Sequence, residues 1–434
     1  MAERIPPSEK TSQAIGALLS QGSEHADVKS ELVRLAVRKI VEEVLEAEVN
    51  DALGRGYYER GRAPARGYRN GYRTGRLRSA EGAIPYSAPQ VSDRATPYRS
   101  KIRRQLKGRT EGLEALGVEM YARGLSTRDI EEAFRSDDGQ SVLSRTAVSE
   151  VTEQLWAEYE AFSTRELNEF EVLYLFVDGV AERLHPGQPR EAVLCAWGID
   201  ADGKKVLLHL APGTKEDFAS CQGFFEDLKR RGLRDPLLVV TDGAPGLIKA
   251  VEVCFPRASR QRCLAHRLRN LATKVTEERW PEVHTRALAC YEAPSAEVAE
   301  VLRASFVARY QGELPSAVKC FADDFAACIA HLRFPVTHRR LIRTTNLLER
   351  VFGEERRRLK IIANAFGERP VLKLMYAAVL RAAAGWRRMK ITVFERKQLE
   401  LIRQELDDEY HRRHAPAVSA EGNIPSRKSS RNRT

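Results

Sequence analysis

VLYLFVDG, residues 172–179, and PLLVVTDG, residues 236–243, each run apolar for the length of a strand and then deliver an Asp-Gly pair. A strand apolar at every position is buried on both faces, so both belong at the centre of a sheet covered by helices. Ligand sites in such sheets gather at the carboxyl ends of strands, which is where this pattern puts Asp178 and Asp242. AVLCAWGI (192–199) and KVLLHLA (205–211) read as two further strands, Lys215–Arg231 as a helix before the fourth, and Ser259–Cys263 as a short fifth strand. The predicted class is α/β.

Asp-Gly is also a common turn dipeptide, and the chain carries its own control. Asp202–Gly203 sits between Ile199 and Lys204 with polar flanks and reads as a turn between strands. Asp178 and Asp242 follow buried-type strands instead and read as functional. A third carboxylate, Glu349, opens a basic helix in TTNLLERVFGEERRR (344–358). Asn346 as N-cap with Glu349 three residues on is a capping box, which alone would justify a glutamate. Arg356 and Arg357 fall on the face of Glu349 at +7 and +8, with Lys360 one turn on; a cap does not explain that stripe. Three carboxylates delivered from separate elements make a magnesium site, and magnesium beside so much arginine points to phosphate chemistry.

The charge is placed accordingly. The net charge is +11, but Gly54–Arg109 holds fifteen Lys/Arg against three Asp/Glu. Six of the thirteen tyrosines (57, 58, 68, 72, 86, 98) lie in the same block. A basic block is the footprint of a polyanion, and the aromatics suit contacts to bases better than a solvated arm. The candidate contacts are Arg66, Arg69, Arg73 and Arg76 here, and Arg350, Arg356, Arg357, Arg358 and Lys360 beyond Glu349.

At 434 residues several domains are expected. Residues 1–54 read as an N-terminal helical arm able to pair with a second subunit, with Val28–Leu53 an amphipathic helix, or two, ended by Gly54. Residues 55–165 read as the basic region. It opens with an irregular Gly/Arg/Tyr stretch, continues as two short strands around Glu81–Gly82, and ends in helices Leu113–Ala122, Thr127–Phe134 and Ser144–Phe162. The Gly124–Leu125–Ser126 turn gives these helices a helix-turn-helix look. Residues 170–266 form the first part of the α/β core and 267–338 a helical region. Residues 339–395 form the second part, with the Glu349 helix and a helix Pro370–Trp386. Residues 396–434 read as a helix and, from His411, a disordered basic tail.

Seven scattered cysteines without a CxxC read as reduced thiols. Cys263-x2-His266 lacks the partner ligands of a structural zinc and reads as a site-supporting contact. His266–Arg269 with Tyr410 imitates a tyrosine recombinase, but 141 residues separate Arg269 from Tyr410, too far for that family. No apolar leader and no run near 18 apolar residues occurs, so neither secretion nor membrane spanning is expected.

These residues resemble the bacterial Mutator-type insertion-sequence transposases. The resemblance is carried, in order, by ARGYRNGYR, MYARGLSTRDI, the strand ending in VDG, VVTDGAPGL, FPRASRQRCLAHRLRNL, TTNLLERVFGEERRR and LKLMYAAVL, over roughly residues 30–400. It implies a ribonuclease-H-like α/β catalytic core interrupted by an all-helical insertion and preceded by a mostly helical DNA-binding region. It makes Asp178, Asp242 and Glu349 the catalytic, metal-binding triad, with Cys263 and His266 beside it. Leu359, where relatives often have Thr, and ANAFGERP (363–370) depart from the family pattern without touching the triad. The implied activity is cleavage and strand transfer of double-stranded DNA at the terminal inverted repeats. Two Mg²⁺ ions would serve, with Mn²⁺ able to substitute, in a homodimer of the bacterial cytoplasm associated with the nucleoid. A nuclease of the same fold, or a DNA-binding regulator derived from a transposase, is the alternative.

Overall fold

The computed structural model describes residues 5–20, 28–59, 67–94, 96–106, 108–135, 139–182, 184–185, 189–213, 217–347, 352–353 and 367–414. The chain forms two compact units. Unit 1 takes residues 1–162, 184–186 and 352–379, and unit 2 takes 163–183, 187–351 and 380–434.

In unit 1, α1 (Pro7–Ser20) and α2 (Val28–Leu53) precede a hairpin of β1 (Tyr68–Ser79) and β2 (Gly82–Ser92). Val41 and Leu45 of α2 pack on Leu77, Ile84, Tyr86 and Ala88 of the hairpin. One buried carboxylate joins the three parts. Glu42 accepts from the Thr11 hydroxyl at 2.6 Å, from the Ser87 N–H at 2.9 Å and from Arg38 Nε at 3.1 Å. Burial of a carboxylate is tolerated where hydrogen bonds replace its water, as here.

The later part of the Gly/Arg/Tyr stretch, expected to be irregular, is instead strand β1 from Tyr68, while residues 60–66 lie outside the described residues. The inner face of the hairpin is supplied largely by β2, and β1 buries only Leu77. Gly75 faces Tyr86, and a Cβ there would run into the tyrosine ring. The tyrosines are also used inside the unit. Tyr86 is core, the Tyr98 hydroxyl donates to Glu48, and the Tyr68 ring lies under Arg55.

After α3 (Lys101–Gln105) come α4 (Glu111–Ala122), α5 (Thr127–Ala133) and α6 (Arg145–Thr164). Gly124 takes a φ of 96°, and Ser126 with Asp129 completes a capping box at the start of α5. Leu113, Ile130, Leu143, Val148 and Leu155 form the core of this group, joined by Leu374 and Ala377 of the Glu368–Ala384 helix.

Unit 2 is built on five strands: β3 (Val172–Glu182), β4 (Glu191–Asp200), β5 (Lys205–Gly213), β6 (Leu238–Thr241) and β7 (Ser259–Arg262). Their order is β5-β4-β3-β6-β7, antiparallel across β5, β4 and β3 and parallel across β3, β6 and β7. Leu175, Val177 and Val239 pack on α7 (Phe218–Arg230) and α8 (Pro245–Cys254) through Phe225, Leu228, Leu247 and Val251. The opposite face presents Tyr174 to Phe334 and His338, and Phe176 stacks on Trp197 at 3.9 Å. The helices α9 (Leu264–Ala272), α10 (Trp280–Tyr291), α11 (Ala296–Tyr310), α12 (Pro315–Ala322), α13 (Phe325–Ile329) and α14 (Val336–Ile342) follow, and those from α9 to α13 enclose a core of their own around Tyr291, Phe306 and Phe321.

Trp386 stands just past the end of its helix, against Trp197. The last described helix, Val393–His414, runs through Tyr410 and past His411, where a tail was expected to begin; residues 415–434 lie outside the described residues. No described helix is long and apolar enough to cross a membrane.

The Asp202–Gly203 turn is clamped by a second segment. Gly203 has a φ of 73°, its carbonyl accepts from the Met389 N–H at 2.8 Å, and a Cβ would land on the Met389 carbonyl oxygen. Gly203→Ala is therefore expected to destabilise unit 2 by about 2 kcal/mol or more, the left-handed penalty plus the clash. Urea denaturation followed by tryptophan fluorescence checks it, and an unchanged midpoint would show that the clamp yields freely.

Candidate active site

The strand registers position the site. The parallel pairing that sets Phe176 beside Val240 also levels Asp178 with Asp242, one strand over. The pairing of β6 with β7 sets Thr241 beside Arg262, and so levels Asp242 with Cys263. Asp242 and Cys263 are the first residues past β6 and β7, so continuing these registers aligns both with Asp178 in one row at the carboxyl ends of these two strands. Asp178 is not at the end of its strand. β3 continues to Glu182 because β4 pairs with it that far, while β6 stops at Thr241 and leaves Asp178 open on one side.

Asp178 is 4% exposed and lies on the sheet face of Tyr174 and Phe176. Burial, and next to it the negative charge of Asp242, push its carboxyl up to about 7; nearby His266, the Thr345 hydroxyl and the Gly179 N–H pull the other way. Asp242 accepts from the Ala244 N–H at 2.9 Å, just ahead of Pro245, the first residue of α8. Gly243, at a φ of 91°, leaves room for the Arg262 guanidinium, which a Cβ would strike. Arg262 is held by Asp323 at 3.0 Å.

Cys263 caps α9 and is fully buried. Its sulfur accepts from the Thr345 N–H at 3.3 Å and from the Thr345 hydroxyl at 3.4 Å. Burial raises the Cys263 thiol, but hydrogen bonds from His266 and Thr345 outweigh it and leave the group below its usual range. The Leu264 N–H donates to the Arg343 carbonyl at 2.9 Å, so the segment leading to Glu349 is tied to the start of α9.

The structure thus brings together Asp178, Asp242, Cys263 and His266. Asn346 begins a helical turn directly after Thr345. Glu349, Arg350, Arg356, Arg357, Arg358, Lys360 and Arg66 lie outside the described residues. Among the described residues no group of three or more His, Cys, Asp or Glu is placed to hold a metal. Arg73 and Arg76 are exposed on β1, Arg76 reaching Gln140 at 3.1 Å. Arg69 has another employment: it bonds Asn50 and the Gly56 carbonyl and lies over Tyr57, holding the end of α2. Thr345, Arg262 and Gly243 had not been singled out; the only mark of Thr345 was its place before the Asn346–Glu349 box.

A family model described as "Transposase, Mutator family" matches residues 9–389. The chain belongs to the Mutator family of transposases. It is 30% identical to the transposase for insertion sequence element IS6120 of Mycolicibacterium smegmatis over 269 residues, 62% of this chain and 83% of that protein. It is 28% identical to the transposase for insertion sequence element ISRM5 of Rhizobium meliloti, over 82% of this chain and 88% of that one. It is also 28% identical to the transposase for insertion sequence element IS406 of Burkholderia multivorans, over 87% and 95%.

The Asp178 carboxyl tests the electrostatics of this transposase site. A carboxyl raised from about 3.9 unfolded to about 7 folded costs no stability below the unfolded value. The cost grows as pH rises through 7, to the order of 4 kcal/mol. Asp178→Asn should therefore melt at higher temperature than the parent at pH 8 in chelator, the gap closing toward pH 4. A variant that melts lower at pH 8 would refute the strain.

Proposed function

We propose that this member of the Mutator family is a DNA transposase of the Asp-Asp-Glu type, cutting at the terminal inverted repeats of an insertion sequence and joining the freed 3′-OH to target DNA. The observation that carries the reading is the level pair Asp178 and Asp242, with the segment leading to Glu349 fastened beside it through Thr345. We read the mixed sheet as a ribonuclease-H-like core and the helices between Leu264 and Ile342 as its insertion. The antiparallel half β5-β4-β3 and the parallel half β3-β6-β7 support that reading.

The site's own charges suit a divalent cation. Two carboxylates stand level, one of them buried and driven toward its neutral form by burial and by the other. Positive charge beside the pair only partly compensates it, and carboxylate oxygens are the hard ligands magnesium takes. Asp178, Asp242 and Glu349 would hold two Mg²⁺ ions, or Mn²⁺ in their place. Bound there, they supply the Lewis acidity and charge neutralisation that phosphoryl transfer needs. The chain's part is to aim the ligands: the Ala244 N–H holds Asp242, and the Gly179 N–H and Thr345 hold Asp178. Water and then the 3′-OH are the nucleophiles, so no covalent protein–DNA link is required.

For DNA contact we favour the hairpin over the helix-turn-helix-like pair. α5 carries Asp129, Glu131 and Glu132 against Arg128, a poor partner for phosphates. On β1 the buried Leu77 fixes the inward face, so Arg76 and Arg78 point outward. A two-stranded ribbon fits a major groove.

Asp178→Ala, Asp242→Ala and Glu349→Ala should each abolish Mg²⁺-dependent nicking of DNA bearing the element's ends while leaving gel-shift affinity within severalfold. If Asp242→Ala still nicks, the site is elsewhere. Joining of a labelled end oligonucleotide to plasmid separates a transposase from a nuclease, and cleavage of any kind separates both from a regulator. The double variant Arg76→Ala/Arg78→Ala should lower the slope of log affinity against log salt by about two; an unchanged slope would remove the hairpin from the interface.

A further inference from the structure

Among the described residues one face of α2 is left exposed, and its composition is symmetric end to end. Val41, Leu45 and Val49 are buried on the inner side, with Glu42. On the outer side Val33, Ile40 and Val44 are 46%, 60% and 42% exposed, and Ala47 is exposed with them. The spacing places them on a single helical stripe. A row of β-branched side chains at this spacing is what a second helix packs on. The stripe begins at the exposed cation Lys29 and ends at the exposed anion Asp51.

We propose that this stripe is the seam of a two-fold dimer, in which α2 pairs antiparallel with the α2 of a second copy of this chain about Ile40. Reversing the helix about Ile40 sets Ile40 on Ile40, Ala36 on Val44, Val33 on Ala47 and Lys29 on Asp51. Apolar groups meet apolar groups throughout, and the opposite charges close both ends. A parallel pair would oppose Lys29 to Lys29 and Asp51 to Asp51, a like-charge arrangement that selects against that orientation. The overlap, Lys29 to Asp51, spans about 33 Å of helix. A two-fold interface uses the same patch twice, which a palindromic stripe satisfies. The inference rests on unit 1 alone and stands whether or not the carboxylates cleave DNA.

The full chain should run as a dimer in light scattering after size exclusion. Ile40→Glu should raise the dimer dissociation constant roughly thirtyfold or more, as loss of a central anchor does, with the circular dichroism spectrum unchanged because the side chain is exposed on the single chain. Lys29→Asp should weaken the dimer and Lys29→Asp/Asp51→Lys restore it. Under mild oxidant Ile40→Cys should cross-link to itself and Val33→Cys should not, while Val33→Cys/Ala47→Cys should. A monomeric parent, a dimer indifferent to Ile40→Glu, or self-cross-linking through Val33→Cys would each overturn the proposal.

Discussion

The register of the parallel strands β3, β6 and β7 is the constraint on which the rest of this molecule's chemistry depends. It puts Asp178, Asp242 and Cys263 in one row, although 64 and 21 residues separate them along the chain. Because side chains alternate between faces, a slip of one residue in β6 would send Asp242 to the face of α7 and α8. The apolar faces prevent the slip. Leu175, Val177 and Val239 pack on one side, and Tyr174, Phe176 and Trp197 on the other, and a slip would exchange the two sets. Packing on both faces of the sheet is thus what aims two carboxylates at one point.

That aim has a cost in stability. Bringing Asp242 level with a buried Asp178 destabilises the ionised pair, and the surroundings only partly relieve it. The relief comes from one corner: Thr345, His266 and the Gly179 N–H, with Cys263 accepting from the same threonine. A site held at such a cost is of the kind proteins keep for binding a cation rather than for folding. The corner also explains the Cys-x2-His pair without zinc. Cys263 stands at the start of α9 and receives the Thr345 N–H, so it fastens the segment leading to Glu349 onto the end of β7, with His266 bonded to its sulfur.

Much of the α/β unit was legible because a strand buried on both faces is written in a single local run of residues. Val172–Val177 and Leu237–Val240 could hardly be anything else, and the polar flanks of Asp202–Gly203 marked it as a turn. What escaped is what depends on partners distant in sequence. The continuation of β3 past Asp178 is dictated by β4, so position at a strand end could not be judged from the strand itself. The hairpin was legible around Glu81–Gly82, but its length was not, for the same reason: β1 extends back to Tyr68 because it pairs with β2, whose Ile84, Tyr86 and Ala88 supply the inner face. The tyrosines of the basic block were assigned to bases, yet Tyr86 and Tyr98 serve the fold. The role of Thr345 shows only in its place before the Asn346–Glu349 box, since its two partners, Asp178 and Cys263, lie 167 and 82 residues away in sequence.

In unit 1 a single helix is asked to do two things, and Glu42 is what makes them compatible. The inner face of α2 carries the hairpin, with the Ser87 N–H of β2 bonded to Glu42, so the outward arginines of β1 move with the helix. If the outer face of α2 is the seam of a two-fold pair, the two hairpins are fixed in opposite directions on either side of it. Two DNA ends gripped by those hairpins would then be related by the same two-fold axis, with nothing further needed to align them. The buried carboxylate matters here because an apolar contact alone would let the ribbon slide along the helix. A hydrogen-bonded acceptor, satisfied only when Thr11, Arg38 and Ser87 all converge, admits a single placement. Specificity of arrangement, more than stability, is therefore the reason for placing a charge in the core of this unit.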